Sequence, residues 1–179
     1  MTTPTTAPEA ADPADLAGMF DRYARELLRY CTRRVGEQAA EDVVAETFLV
    51  AYERRDRYDP ERGDVLPWLY GIATNLLRRY RRIEIRALRA LAYAEPVTEG
   101  SGTRAADRVD AQRAVARLSA VLAALPRRQR DVLLLYAVAE LEYAEIAAAL
   151  DIPLGSVQSA LHRARTKVRA IITPEGELR

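Results

Sequence analysis

Apolar positions along this chain recur every three or four residues, and no stretch alternates with a period of two. Leu16, Met19, Phe20, Tyr23, Leu27, Tyr30 and Cys31 line one such stripe and predict a helix from Asp15 to about Val35, with Gly36 as its stop. A second stripe, Val44, Phe48 and Ala51, predicts a helix over about 39–55. The run "RDRYDPERGDVLPW" is rich in Asp, Pro and Gly and reads as a loop. Pro67 suits the first turn of a third helix, whose apolar side (Trp68, Leu69, Ile72, Ala73, Leu76, Tyr80) predicts one continuous element from Pro67 to about Ala92. The pattern then lapses over "YAEPVTEGSGTRAADRVD". A flexible linker is expected there, over 93–112, with an r.m.s. span of roughly 20–25 Å. Beyond it, Val115, Leu118, Val121, Leu122 and Leu125 stripe a helix that Pro126 ends. Helices over about 127–139 and 143–150 follow, and a last one carries Val157, Leu161, Ala164 and Val168 on one side. The expectation is an all-α fold: two small helical domains, 16–92 and 113–173, joined by the linker and flanked by tails at 1–15 and 174–179. The N-terminal tail reads as disordered and mildly acidic.

The composition narrows the function classes. The 179 residues are 49% hydrophobic and 30% charged, with no apolar run long enough to cross a membrane. The first residues lack the basic and apolar regions of a signal peptide, so a cytoplasmic protein without membrane insertion is expected. Cys31 is the only cysteine, which excludes an internal disulfide and a cysteine metal cluster. His162 is the only histidine and stands amid arginines, a poor setting for a buried catalytic base. No phosphate-binding glycine loop is present. No catalytic residue, metal site or cofactor is expected.

The net charge of +1 hides a segregated distribution. Residues 36–52 carry Glu37, Glu41, Asp42 and Glu46 and no basic residue, whereas 68–92 carry Arg78, Arg79, Arg81, Arg82, Arg86 and Arg89 against Glu84 alone. Such asymmetry suits different partners on different surfaces, although solvated helix faces carry charge runs as well. On the second helix Asp42, Glu46 and Glu53 frame Leu49, a pattern that fits either a docking spot for a basic partner or ordinary surface. On the third, Tyr70, Thr74, Asn75, Arg78, Arg81 and Arg82 fall opposite the apolar stripe. There arginines can hold phosphates while an amide or ring meets an exposed base.

The segment "EYAEIAAALDIPLGSVQSALHRARTKVRAII" has the order short helix, tight turn, longer helix. Pro153 and Gly155 are expected to interrupt the helix, and Ser156 to cap the new one. Its polar front holds Gln158, Ser159, His162, Arg163, Thr166 and Arg169. This is a helix-turn-helix pattern, in which the second helix enters the major groove with its N-terminal residues at base edges. Arg163 matches guanine and Gln158 adenine; Ser159 and His162 can bond bases or phosphates, and Arg165, Lys167 and Arg169 lie where phosphate contact is expected.

With both modules placed, the chain resembles bacterial sigma factors of the extracytoplasmic-function (ECF) group, over about residues 16–173. "AAEDVVAETFLVAY" looks like the family's segment for the polymerase clamp helices, "PWLYGIATNLLRRYRR" like its −10 recognition and strand-opening segment, and "LAALPRRQRDVLLLYAVAELEYAEIAAALDIPLGSVQSALHRAR" like its −35 module. The resemblance implies a dissociable specificity subunit of core RNA polymerase, with promoter DNA as the second partner and an anti-sigma factor as a further candidate. Glu41, Asp42, Glu46, Leu49 and Glu53 would then meet the clamp helices of the largest subunit. Tyr70, Thr74, Asn75, Arg78, Arg81 and Arg82 would hold the −10 element around a flipped base. Ser156, Gln158, Ser159, His162, Arg163 and Arg165 would read −35, and the second module would touch the flap of the second-largest subunit. Gln158 and Ala160 stand where the family often has basic residues, so a divergent −35 preference is expected. On residue pattern alone, a dimeric helix-turn-helix regulator or a sigma-like decoy for an anti-sigma protein stays open.

Overall fold

A computed structural model describes residues 15–94 and 103–172. The expected tails, apart from Asp15, and the middle of the expected linker lie outside the described residues. Eight helices and no strand are present among those described: α1 (Leu16–Val35), α2 (Glu37–Glu53), α3 (Val65–Leu76), α4 (Arg81–Tyr93), α5 (Thr103–Ala124), α6 (Arg127–Ala137), α7 (Tyr143–Leu150) and α8 (Leu154–Ile172). Two single 3₁₀ turns, Arg55–Arg57 and Pro60–Arg62, shape the loop between α2 and α3.

Three elements differ from the sequence expectation. The expected helix over 67–92 is two helices. The ladder runs to the Leu77 amide on the Ala73 carbonyl, tightens to a three-residue bond from Arg78 to Asn75, and restarts at Arg81. In an unbroken helix Arg78 would face Arg81 and Arg82 at spacings of three and four, and Arg79 would face Arg82, all like-charge neighbours. The linker expected over 93–112 is helical where α5 begins at Thr103, twelve residues before Val115, the first residue of the apolar stripe. Finally, α8 starts at Leu154, so Gly155 and Ser156 lie inside its first turn. The Ser156 and Val157 amides bond the Pro153 carbonyl, which makes Pro153 the residue that opens the helix, in place of the expected Ser156 cap.

The chain divides into two compact units: residues up to Arg78 with Ala144–Ile152, and Arg79–Tyr143 with the residues from Pro153 on. This division departs from 16–92 and 113–173, since α4 groups with the second unit and most of α7 with the first.

In the first unit, α1 starts on the Asp15 side chain, which accepts the Gly18 amide at 3.0 Å. It ends at Gly36, whose φ of +86° allows the sharp entry into α2. Met19, Leu27, Tyr30, Cys31, Ala40, Val43, Phe48, Leu69 and Ala73 are buried. A polar thread runs through this core: Arg34 donates to the Tyr30 hydroxyl at 2.8 Å, and that hydroxyl meets the Thr74 hydroxyl at 3.0 Å. The Tyr30 and Tyr70 rings meet edge-on at 5.2 Å. Gly71 lies against α7: a Cβ there would run into the Ala149 carbonyl.

In the second unit, Val121 of α5 and Leu125 just beyond it pack on Ala164 of α8, with Leu122, Leu133 and Val168 around them. Arg130 of α6 is fully buried. It donates to the carbonyls of Leu122 and Leu125, at 2.9 and 3.4 Å, and so serves carbonyls at the C-terminal end of α5 that the helix itself leaves open. Its Nε lies 3.5 Å from the carboxylate of Glu84 on α4, which is also buried.

Candidate nucleic-acid interface

Three surfaces carry the candidate residues. On α8, Val157, Ala160, Leu161 and Ala164 are buried and turn the opposite arc outward. Gln158, His162 and Arg163 are exposed, while Ser156 and Ser159 are half-buried. The Ser159 hydroxyl donates back to the Ser156 carbonyl at 3.2 Å. The Thr166 hydroxyl likewise donates to the His162 carbonyl at 3.0 Å. Lys167 is engaged with Gln129 of α6 at 3.2 Å. Because Ala160 faces the interior, it does not weaken the basic front; Gln158 alone makes that front unusual. Arg165 is half-buried beside Tyr136 and Tyr143.

The turn between α7 and α8 is closed by backbone bonds. Asp151 and Ile152 amides return to the Ala148 and Ala147 carbonyls, with Asp151 in the left-handed region at φ +51°. This is the double-bonded helix stop that usually employs glycine.

The second surface needs correction. Tyr70 and Thr74 are only 1% exposed, so neither can meet a base. Both lie off the apolar stripe, but α3 packs on α1 as well as α2, and Tyr30 of α1 meets both the Thr74 hydroxyl and the Tyr70 ring. Asn75 and Arg78 at the end of α3 are exposed. Arg81 and Arg82 are exposed in the first turn of α4. Cations at a helix N-terminus are unfavourable for its dipole, and a bound phosphate would relieve them.

Beside Asn75 the first unit has a cleft of about 230 Å³ whose walls include Arg57, Tyr58, Asp59, Trp68 and Asn75. The Tyr58 and Trp68 rings lie 5.3 Å apart, and the Tyr58 hydroxyl donates to the Gly63 carbonyl at 3.0 Å. Burial, with Asp64 next, raises the Tyr58 pKa. In the sequence this segment reads only as a connecting loop. The signal available was its aromatic-plus-charge content next to Asn75.

The third surface is the outer stripe of α2. Glu41, Asp42, Leu49 and Glu53 are exposed, Leu49 by 54%, and Glu46 is half-buried. Tyr52 adjoins them with Arg55 stacked 4.6 Å over its ring. An exposed leucine flanked by acids and an aromatic is suited to a basic, partly apolar helix.

The chain matches the family models for sigma-70 region 2 over residues 19–93 and sigma-70 region 4 over residues 115–168. It is 31% identical to the ECF RNA polymerase sigma factor SigW of Bacillus subtilis, over 88% of this chain and 89% of that one. It is 33% identical to the ECF sigma factor SigD of Mycobacterium tuberculosis, over 94% and 82%. Among solved structures it resembles CnrH in complex with the cytosolic domain of CnrY, with a TM-score of 0.60, 25% identity, and 88% and 86% coverage. It also shares its fold with RpoE bound to the anti-sigma factor NepR from Bartonella quintana, with a TM-score of 0.59, 18% identity, and 90% and 98% coverage. A chain with both sigma-70 regions in this order, and curated relatives of this kind along nearly its whole length, belongs to the ECF group of RNA polymerase sigma factors and directs promoter-specific initiation of transcription.

Proposed function

We propose that the surfaces divide the work of promoter recognition as follows. The stripe Glu41, Asp42, Glu46, Leu49 and Glu53 docks on the clamp helices of core polymerase. Asn75, Arg78, Arg81 and Arg82 hold the −10 strand. The cleft beside Asn75 receives a base swung out of the stack. Unstacking costs a few kcal/mol, and contact with Tyr58 and Trp68 offsets about 1–3 kcal/mol of it. The front of α8, with Ser156, Gln158, Ser159, His162 and Arg163, reads −35 in the major groove. The domains expected at 16–92 and 113–173 are the functional modules, and the second also meets the polymerase flap. The protein performs no catalysis of its own and acts in the cytoplasm, where polymerase and chromosome are. Since RpoE was solved with an anti-sigma factor, the same kind of partner is proposed here.

The observation that carries this reading is the sorting of α8, with every apolar side chain of its first three turns except Leu154 turned inward and Gln158, His162 and Arg163 turned out. Run-off transcription with core polymerase tests it, on templates altered separately upstream and at −10. Gln158→Ala and Arg163→Ala should change which upstream sequences are used. Asn75→Ala should leave upstream preference alone and slow strand opening, read by permanganate reactivity of the −10 thymines. Upstream preference indifferent to both α8 variants would refute the assignment.

A further inference from the structure

Arg165 lies on α8 but does not join its front. Its guanidinium sits 4.5 Å over the Tyr136 ring, and one Nη donates to the Tyr143 hydroxyl at 3.3 Å. The two tyrosine rings meet edge-on at 5.7 Å. Three elements converge here: Tyr136 at the end of α6, Tyr143 at the start of α7, and Arg165 in mid-α8. A planar cation between a ring face and a phenol is held in orientation as well as position. To reach a phosphate it would have to leave both partners.

The remainder of α8's inner face is made of small or branched apolar side chains, Val157, Ala160, Leu161 and Ala164. Such contacts fix which side of the helix is buried, but none of them is a directional bond. Arg165 supplies direction at this face, beside the exposed Lys167–Gln129 bond to α6. It stands seven residues after Gln158, two turns along, so the two share an edge of the helix. Fixing the guanidinium fixes the roll of that edge.

We propose that Arg165 is a positioning residue. The Tyr136–Arg165–Tyr143 cage sets the roll of the recognition helix so that Gln158, His162 and Arg163 meet base edges, and Arg165 itself touches no phosphate. This rests on the reading of α8 as the −35 reader. It replaces the expectation of Arg165 as a DNA contact.

The test uses holoenzyme assembled from core polymerase and the full chain. Fluorescence anisotropy follows binding to a promoter fragment selected with the unaltered protein, and to the same fragment with its −35 element scrambled, over a series of salt concentrations. The variants are Arg165→Met and Tyr143→Phe. Each phosphate contact contributes about 0.9 to the slope of log K against log salt. Arg165→Met should leave that slope unchanged and reduce the cognate-to-scrambled ratio about tenfold, the value of one misplaced base contact. Tyr143→Phe, which removes one hydroxyl, should reduce the ratio about threefold in the same direction. A slope lower by about 0.9, with equal loss on both fragments, would make Arg165 a phosphate contact and overturn the proposal. Unchanged discrimination in both variants would overturn it too. Should Arg165→Met fail to fold, the Tyr143→Phe ratio decides alone. If the unaltered holoenzyme does not separate the two fragments, the −35 reading has failed and the proposal falls with it.

Discussion

Replacing Arg130 by methionine should cost the protein a large part of its stability. The side chain is of similar length, so little cavity opens; the loss is electrostatic. Arg130 is 0% exposed and Glu84 4%, with 3.5 Å between the charged atoms. The same guanidinium serves the carbonyls of Leu122 and Leu125. Removing one partner of a buried pair costs about 3–5 kcal/mol, since the remaining charge stays out of water. Against a typical total of about 5–15 kcal/mol, that is a third or more for an average domain. Urea unfolding followed by far-UV circular dichroism measures it. The double variant Glu84→Gln/Arg130→Met removes both charges, so it should be more stable than the sum of the two single losses implies, by about 0.5–3 kcal/mol of coupling. A cost below about 1 kcal/mol for Arg130→Met, or strict additivity in the cycle, would refute the view that α4 is held to α6 by this pair.

Other consequences are more local. Arg163→Ala should cost about 1–3 kcal/mol at a cognate −35 site and relax base choice there, measured by competition between promoter fragments. An equal loss on all sequences would point to phosphate contact instead. Leu49→Ala should weaken binding to core polymerase about tenfold without changing the unfolding midpoint, as truncation of a central apolar contact does; competition against another sigma factor reads this. Burial pushes the Cys31 thiol up to about 12 from 9.0, with Arg34 pulling weakly the other way. The folded state therefore keeps a proton that the unfolded state releases. This contribution is complete below pH 9, and stability declines as pH rises from there toward 12, by at most about 1.4 kcal/mol per pH unit. Cys31→Ala should flatten that decline, and an unchanged slope would count against it. Glu140 holds φ at +57° between α6 and α7. Glu140→Gly should raise stability by about 1 kcal/mol, visible as a thermal midpoint a few degrees higher.

Much of the fold could be read from periodicity, because α1, α2, α3 and α8 each bury one main apolar stripe; α4 buries only Glu84 and leaves Ile83 and Leu91 exposed. What periodicity misses is a second neighbour. Tyr70 and Thr74 are polar or amphipathic and lie off the stripe, so they read as surface; α1 covers them. Arg130 in "RRQRD" looks like one more solvated arginine, and only the meeting of α4, α5 and α6 shows it as a buried tie. Arg165 fails for the same reason, because its partners lie 22 and 29 residues away on other helices. The break after α3 is a matter of charge spacing, which apolar stripes do not record. The exposed parts of the site were better served. Gln158, His162, Arg163 and Leu49 stand outside because their neighbours at helical spacing are apolar and face inward.

Trp68 is the only tryptophan in the chain, and it stands in the wall of the cleft beside Tyr58. Its indole emission is therefore an optical signal from that one spot, free of background from other indoles in the chain. A base stacking into the cleft would quench it, and a single-stranded −10 oligonucleotide added to the isolated protein could be followed by that change alone, with no attached dye.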